Sequence, residues 1–237
     1  MRELTVRLGK QQIALSLAPR SVLLCDNVEQ AQRMAVAMRA AGATLIDGSD
    51  GTRGRVAEQL PKRIDEAAVQ RIRLALRLDE DILNWRPRDS SPLQRMLSET
   101  LVALAGGADL LVFDVSPFAS SPFDTAHVCA FMRRVATEFM VTVAAVVSDA
   151  ALIASAGAHL IVCTDEGVVE AGDVGSVLAD PRTEALRQRL EATPIASPVA
   201  MQMRRVQRVT VQPVNYAHTT IIQLPTQDSI ALAGGDE

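Results

Sequence analysis

The stretch from residue 108 to residue 172 constrains the fold most tightly, because it alternates short apolar runs with segments of helical spacing. Residues 110–113 have no polar face and end on a single carboxylate, Asp114, which is the pattern of a strand buried on both sides. A second run, 141–147, ends on Ser148 and Asp149, and a third, 160–163, stops at the turn signal Asp165, Glu166, Gly167. Between the first two, Val128, Phe131, Met132 and Val135 recur at helical spacing within residues 124–139. Strand, helix, strand, helix, strand implies a parallel sheet covered by helices.

The remaining chain extends that pattern. Residues 4–8 and 12–17 alternate well enough for an antiparallel hairpin at a sheet edge. Residues 21–25 read as a buried strand and 28–41 as a helix capped by Asp26 or Asn27. Asp47-Gly48 is a hairpin turn signal within 42–55, and 65–78 carries an apolar helical stripe, Ala68, Ile72, Ala75 and Leu76, opposite Arg71, Arg73 and Arg77. Ser90 or Ser91, followed by Pro92, is expected to cap a helix leading to the Asp114 strand. A helix pair is expected over 173–192, split at Asp180-Pro181. Residues 193–198 read as a linker, with two β-rich runs beyond it at 206–211 and 218–224.

Composition narrows the class. With 237 residues, 48% of them hydrophobic, the chain can bury a substantial core. A formal net charge of -4 argues against nucleic acid as the main partner. No apolar run reaches the roughly 18 residues of a membrane span, and the start, MRELTVRLGK, has no signal-peptide core. The expectation is a cytoplasmic chain without membrane insertion, open to peripheral docking at the inner face of a membrane. Cys25, Cys129 and Cys163 share no metal-like or redox spacing and read as reduced core residues, and the scattered histidines suggest no metal site.

The central block resembles the second half of an ATP-binding cassette (ABC) ATPase domain, from just before the signature sequence through the Walker B strand, the D-loop and the switch-histidine strand. No gap is needed between Asp114, at the Walker B aspartate, and Ser148, at the switch histidine, with Asp149 following as in the family. The tail EGVVEAGDVGSVLADPRTEAL is similar to the family's closing phrase. The resemblance covers about residues 21–191. It implies an α/β, P-loop NTPase-like fold: a mostly parallel sheet with flanking helices, N-terminal antiparallel edge strands and a helical subdomain shortened to about 56–95. One domain would span 1–192, with a linker and β-rich extension over 193–237.

The motifs that do chemistry in that family are altered. A phosphate loop needs glycines, so that backbone amides can close around phosphates, together with a lysine and a Ser or Thr for magnesium; none of these stands between Leu24 and Met34. Asp26 and Glu29 add charge of the wrong sign. On the signature motif only Ser91 and Gln94 match, with Pro92 and Leu93 in place of the two glycines. Val115 replaces the glutamate after Asp114 and cannot orient a water, and Ser121 occupies the place of the D-loop aspartate. Gln59 is the candidate remnant of the glutamine loop.

The expected reading is therefore a degenerate, non-catalytic cassette protein: a structural or regulatory subunit of an ABC transporter or related complex. Its family-equivalent nucleotide positions are Asp114, Ser91, Gln94 and Ser148, and neither a metal nor a bound ATP-magnesium cofactor is expected. Another ABC-type subunit or a membrane component is the expected partner, in a homo- or heterodimer. The alternative is an ATP-binding subunit active only when a competent partner completes a composite site. An unrelated enzyme using Ser148, Asp149 and Asp114 would still need a histidine placed beside the serine.

Overall fold

The computed structural model describes residues 1–49, 54–118 and 121–192. The predicted linker and β-rich runs beyond Ala192 lie outside the described residues, as does part of the expected hairpin over 42–55. The chain opens with β1 (Arg2–Leu8) and β2 (Gln11–Leu17), then β3 (Arg20–Leu24), α1 (Val28–Ala40) and β4 (Thr44–Ile46). A helical region follows, with α2 (Val56–Gln59), α3 (Glu66–Leu76) and two short turns of 3₁₀ helix, leading to α4 (Pro92–Ala105). The last third runs β5 (Leu110–Asp114), α5 (Pro122–Phe139), β6 (Thr142–Val147), α6 (Ile153–Ala156), β7 (His159–Thr164), β8 (Gly167–Asp173), α7 (Val174–Ala179) and α8 (Glu184–Ala192).

Six strands form one sheet in the order β4-β5-β6-β3-β7-β8, parallel throughout except that β8 runs antiparallel to β7. The three apolar runs become β5, β6 and β7, and they are buried on both faces because successive side chains alternate between two cores. Leu111, Phe113, Val143, Ala145, Val22 and Leu24 pack under α3, α4 and α5, whereas Leu110, Val112, Ala144, Val146 and Leu23 pack against α1. The N-terminal antiparallel pair forms a two-stranded sheet of its own, and its inward residues Leu4, Val6, Ile13, Leu15 and Leu17 join the α1-side core.

β4 pairs in parallel with β5, Ile46 opposite Phe113, and the segment that would return from the Asp47-Gly48 turn lies partly outside the described residues. All three cysteines are buried and reduced. Among the described residues no helix is long and apolar enough to cross a membrane.

Gly157, which ends α6, shows how tightly the helices press on the sheet. A Cβ there would lie 2.9 Å from the backbone nitrogen of Val22 and 3.0 Å from its Cβ. The obstacle is the backbone of the central strand, which cannot swing aside. Gly157→Ala is expected to cost about 1–3 kcal/mol, read from the midpoint of a urea unfolding curve; an unchanged midpoint would show that α6 can lift from β3.

Candidate functional site

Parallel strands end together, so their carboxyl ends gather the residues that follow each of them. Leu24 of β3 pairs with Val147 of β6, and Asp114 of β5 pairs with Val146. Asp114, Ser148 and Asp26 therefore stand at the same end of three adjacent strands. Asp114 is 5% exposed and accepts the Ser116 amide at 2.9 Å, while Val115 turns into the core with no exposure. Ser148 is half-buried beyond the end of β6, and Asp149 caps the following turn through the Ala151 amide at 2.8 Å. Among the described residues no histidine joins them: His127 lies exposed on α5 with its ring 6.1 Å from that of Phe123, and His159 begins β7 at the opposite end of the sheet.

Ser91 and Gln94 sit apart from that group, at the start of α4. Ser91 is the N-cap, its hydroxyl accepting the Gln94 amide at 3.2 Å while Gln94 Oε1 accepts the Ser91 amide at 2.9 Å. Pro92 occupies the first turn, where its missing amide costs nothing. This reciprocal capping box satisfies the helix start from within the helix.

The turn between β3 and α1 is where the sequence offers no phosphate loop, and the structure shows what fills it. Asn27 caps α1 by accepting the Gln30 amide at 2.8 Å. The Gln30 side chain folds back, its Oε1 accepting the amide of Asp26 and its Nε2 donating to Asp165 at 3.3 Å. Gln30 is 1% exposed, a polar side chain spent wholly inside the turn. From α8, Arg189 places Nη2 3.7 Å from Asp26 Oδ1, with its side chain 18% exposed. Sequence reasoning missed both Gln30 and Arg189. A glutamine three positions after an N-cap hints at the first, and nothing local marks the second.

A second arrangement surrounds the loop after β4. Glu99 of α4 accepts the amides of Asp47 at 3.2 Å and Gly48 at 3.0 Å, while Arg95 Nε donates to the Gly48 carbonyl at 2.7 Å and Nη1 to the Ser90 carbonyl at 2.9 Å. Gly48 has φ +62°, and a Cβ there would meet the Pro92 carbonyl oxygen at 2.7 Å. Only glycine lets α4 grip this peptide from both sides. The clamp leaves a cleft of about 490 Å³ lined by Gln32, Val36, Asp47, Arg95, Asp114 and Pro117, among others. Burial raises the Glu99 carboxyl to about 7, with the Asp47 charge adding to the rise and the two amides and Arg95 opposing it.

Three solved structures show the same fold. A nucleotide-free ATP-binding cassette from an ABC transporter shares 13% identity at a TM-score of 0.56, covering 77% of this chain and 96% of that one. CbiO1 from Clostridium perfringens, described as part of the ABC transporter complex cbiONQ, shares 10% at 0.59 over 85% and 96%. The dimeric bacterial ABC transporter cassette MJ0796 shares 12% at 0.53 over 73% and 96%. No protein-family model matches the chain, and no curated protein matches it in sequence. The fold is thus that of the ATP-binding cassettes: an α/β domain with a mostly parallel sheet and an antiparallel strand pair.

The Glu99 clamp carries a pH signature. The folded state holds the Glu99 proton above its ordinary value of 4.5, so its contribution to stability is full below 4.5 and declines as pH rises through about 7. Glu99→Gln keeps an oxygen for the two amides and is expected to flatten that decline. Urea unfolding at a series of pH values checks it, and an unaltered slope would move the titration to another group.

Proposed function

We propose that this chain is a non-catalytic member of the ATP-binding cassette class, working as a structural or regulatory subunit of an ABC transporter or related complex. The observation that carries the reading is the occupied turn before α1. In a nucleotide-binding cassette the free amides at this helix start would receive phosphates. Here the Asp26 amide is held by Gln30, the Gln30 amide by Asn27, and the carboxylate of Asp26 faces Arg189. A triphosphate would have to displace these contacts and approach Asp26 and Glu29 with no lysine to offset its charge. Val115 supports the same reading, since a fully buried aliphatic side chain stands where water would need a carboxylate.

On this reading the partner is another cassette-type subunit or a membrane component, and the chain sits at the inner face of the membrane. Two of the similar structures support an assembled state, one being described as dimeric and one as part of a transporter complex. Asp114, Ser91, Gln94 and Ser148 then keep structural work: a turn, a capping box and a strand end.

Calorimetric titration of the purified full chain with ATP, with and without magnesium, tests the reading. No saturable heat is expected in either condition, and phosphate release should stay at background. Saturable magnesium-dependent binding that disappears in Asp114→Ala would falsify it and favour the composite-site alternative.

A further inference from the structure

Among the described residues the edge of the sheet formed by β8 carries no further paired strand, although β2 passes close to it. β8 is the terminal strand, paired only with β7 among the described residues. Five consecutive residues, Val169 to Asp173, line one groove of about 540 Å³ together with Ser176, Val177 and Asp180 of α7 and the following Arg182. Neighbouring residues of a strand point to opposite faces. A groove that touches all five reaches the backbone of the strand as well as its side chains, with α7 as its wall.

The hydrogen-bonding parity of that edge follows from the ladder. Val174 donates to the Ala158 carbonyl, and the pairing continues as Gly172 with Leu160 and Glu170 with Val162. In an antiparallel pair, hydrogen-bonded and non-bonded positions alternate, so Gly172 and Glu170 face β7, and the amide and carbonyl groups of Ala171 and Asp173 face the groove. An irregularity between Val162 and Cys163 places Val169 as an extra residue, which leaves Val168 and Val169 38% and 36% exposed beside the groove mouth.

Charge selects the occupant. The groove carries the carboxylates of Glu170, Asp173 and Asp180 against the single guanidinium of Arg182. The Glu170 carboxylate is turned inward on the Arg182 and Thr183 amides, at 2.9 and 3.0 Å, while Asp173 and Asp180 are exposed. A second copy pairing antiparallel through this edge would bring like charges together. We propose that the β8 edge is a docking site for an extended, basic segment of a partner protein, which adds a strand to the sheet by pairing with Ala171 and Asp173 and places cationic side chains toward Asp173 and Asp180. The proposal goes beyond the non-catalytic reading and does not rest on it.

The test uses the full chain and two fluorescent synthetic peptides, one alternating arginine with valine and the other glutamate with valine. The arginine peptide is expected to bind saturably and to protect the Ala171 and Asp173 amides from hydrogen exchange, with no binding of the glutamate peptide. Two variants should each weaken binding by about tenfold or more: Ala171→Pro, which removes an outward amide without touching the β7 ladder, and Asp180→Lys, which reverses a charge on the wall. Asp180→Lys alters no strand, and if the proline variant does not fold, peptide-induced protection of the Ala171 and Asp173 amides that is lost in Asp180→Lys decides the matter, whereas binding without that protection sinks the proposal. Binding lost in Asp180→Lys but intact in a folded Ala171→Pro would mean simple electrostatic adsorption and sinks the proposal. Equal binding of both peptides, or binding of neither, sinks it too. Protection of the Ala171 and Asp173 amides before any peptide is added, or self-association that Ala171→Pro abolishes, would show the edge already paired and overturn it as well.

Discussion

The position of β3 governs the rest of the molecule. It is hydrogen-bonded on both sides by parallel strands, β6 and β7, and every side chain from Ser21 to Leu24 is buried without exposure. Such a strand cannot shift its register without exposing two cores at once. Its end, and therefore the start of α1, is fixed at the middle of the carboxyl edge of the sheet. A helix start in that position presents unpaired amides and a positive dipole end, and they must find partners. In this chain the Gln30 amide finds one in Asn27 and the Asp26 amide in the Gln30 side chain, with Arg189 facing the carboxylate that Asp26 brings to the turn. The absence of phosphate-loop residues is accordingly matched by the presence of substitutes.

The second helix on this edge, α4, works by the same logic with different groups. Ser91 and Gln94 satisfy its first turn reciprocally, and Arg95 and Glu99, one and two turns along, hold the peptide of Gly48. The helix is tied to the sheet through the loop after β4 rather than through a ligand. The starts of α1 and α4 are thus each engaged in part by protein atoms. The cleft between them keeps two carboxylates, Asp47 and Asp114, facing one guanidinium from Arg95. That balance suits a polar surface more than a polyphosphate.

Much of this was legible in the sequence, and what was not divides along a physical line. The apolar runs gave β5, β6 and β7 within a residue or so of their ends, because strands buried on both faces have no polar positions to confuse the pattern. Ser91 with Pro92, and Asn27 before α1, were readable because a cap is a local bond between residues a few positions apart. The partner of β4 was not readable beside Asp47-Gly48, since turn chemistry is local and β5 lies far along the chain. Gly48 does adopt the positive φ that the dipeptide signals, and Glu99 grips its amide. Arg189 could not be foreseen at all, because an exposed-looking helix in the tail reaches Asp26 only once the sheet has brought them together.

The two edges of the sheet close the account of what the fold leaves over. β4 is three residues long, and the loop that follows it is held by Glu99 and Arg95, so a visiting strand meets a short edge with a clamped end. β8 is seven residues long, and among the described residues it carries the irregularity at Val169 and charges beside it. Irregularities and charges discourage indiscriminate pairing of sheet edges. They also sort visitors: an acidic strand meets repulsion from Asp173 and Asp180, a neutral one gains nothing from them, and a basic one is attracted. Glu170 shows that this edge is built to stay firm. Burial would push its carboxyl up, but the amides of Arg182 and Thr183 and the Thr183 hydroxyl hold it below its ordinary value, fixing the start of α8 against the strand. A firm strand pays less ordering entropy when a partner pairs with it, so the rigidity that closes the turn before α1 and the openness along β8 are compatible properties of one sheet.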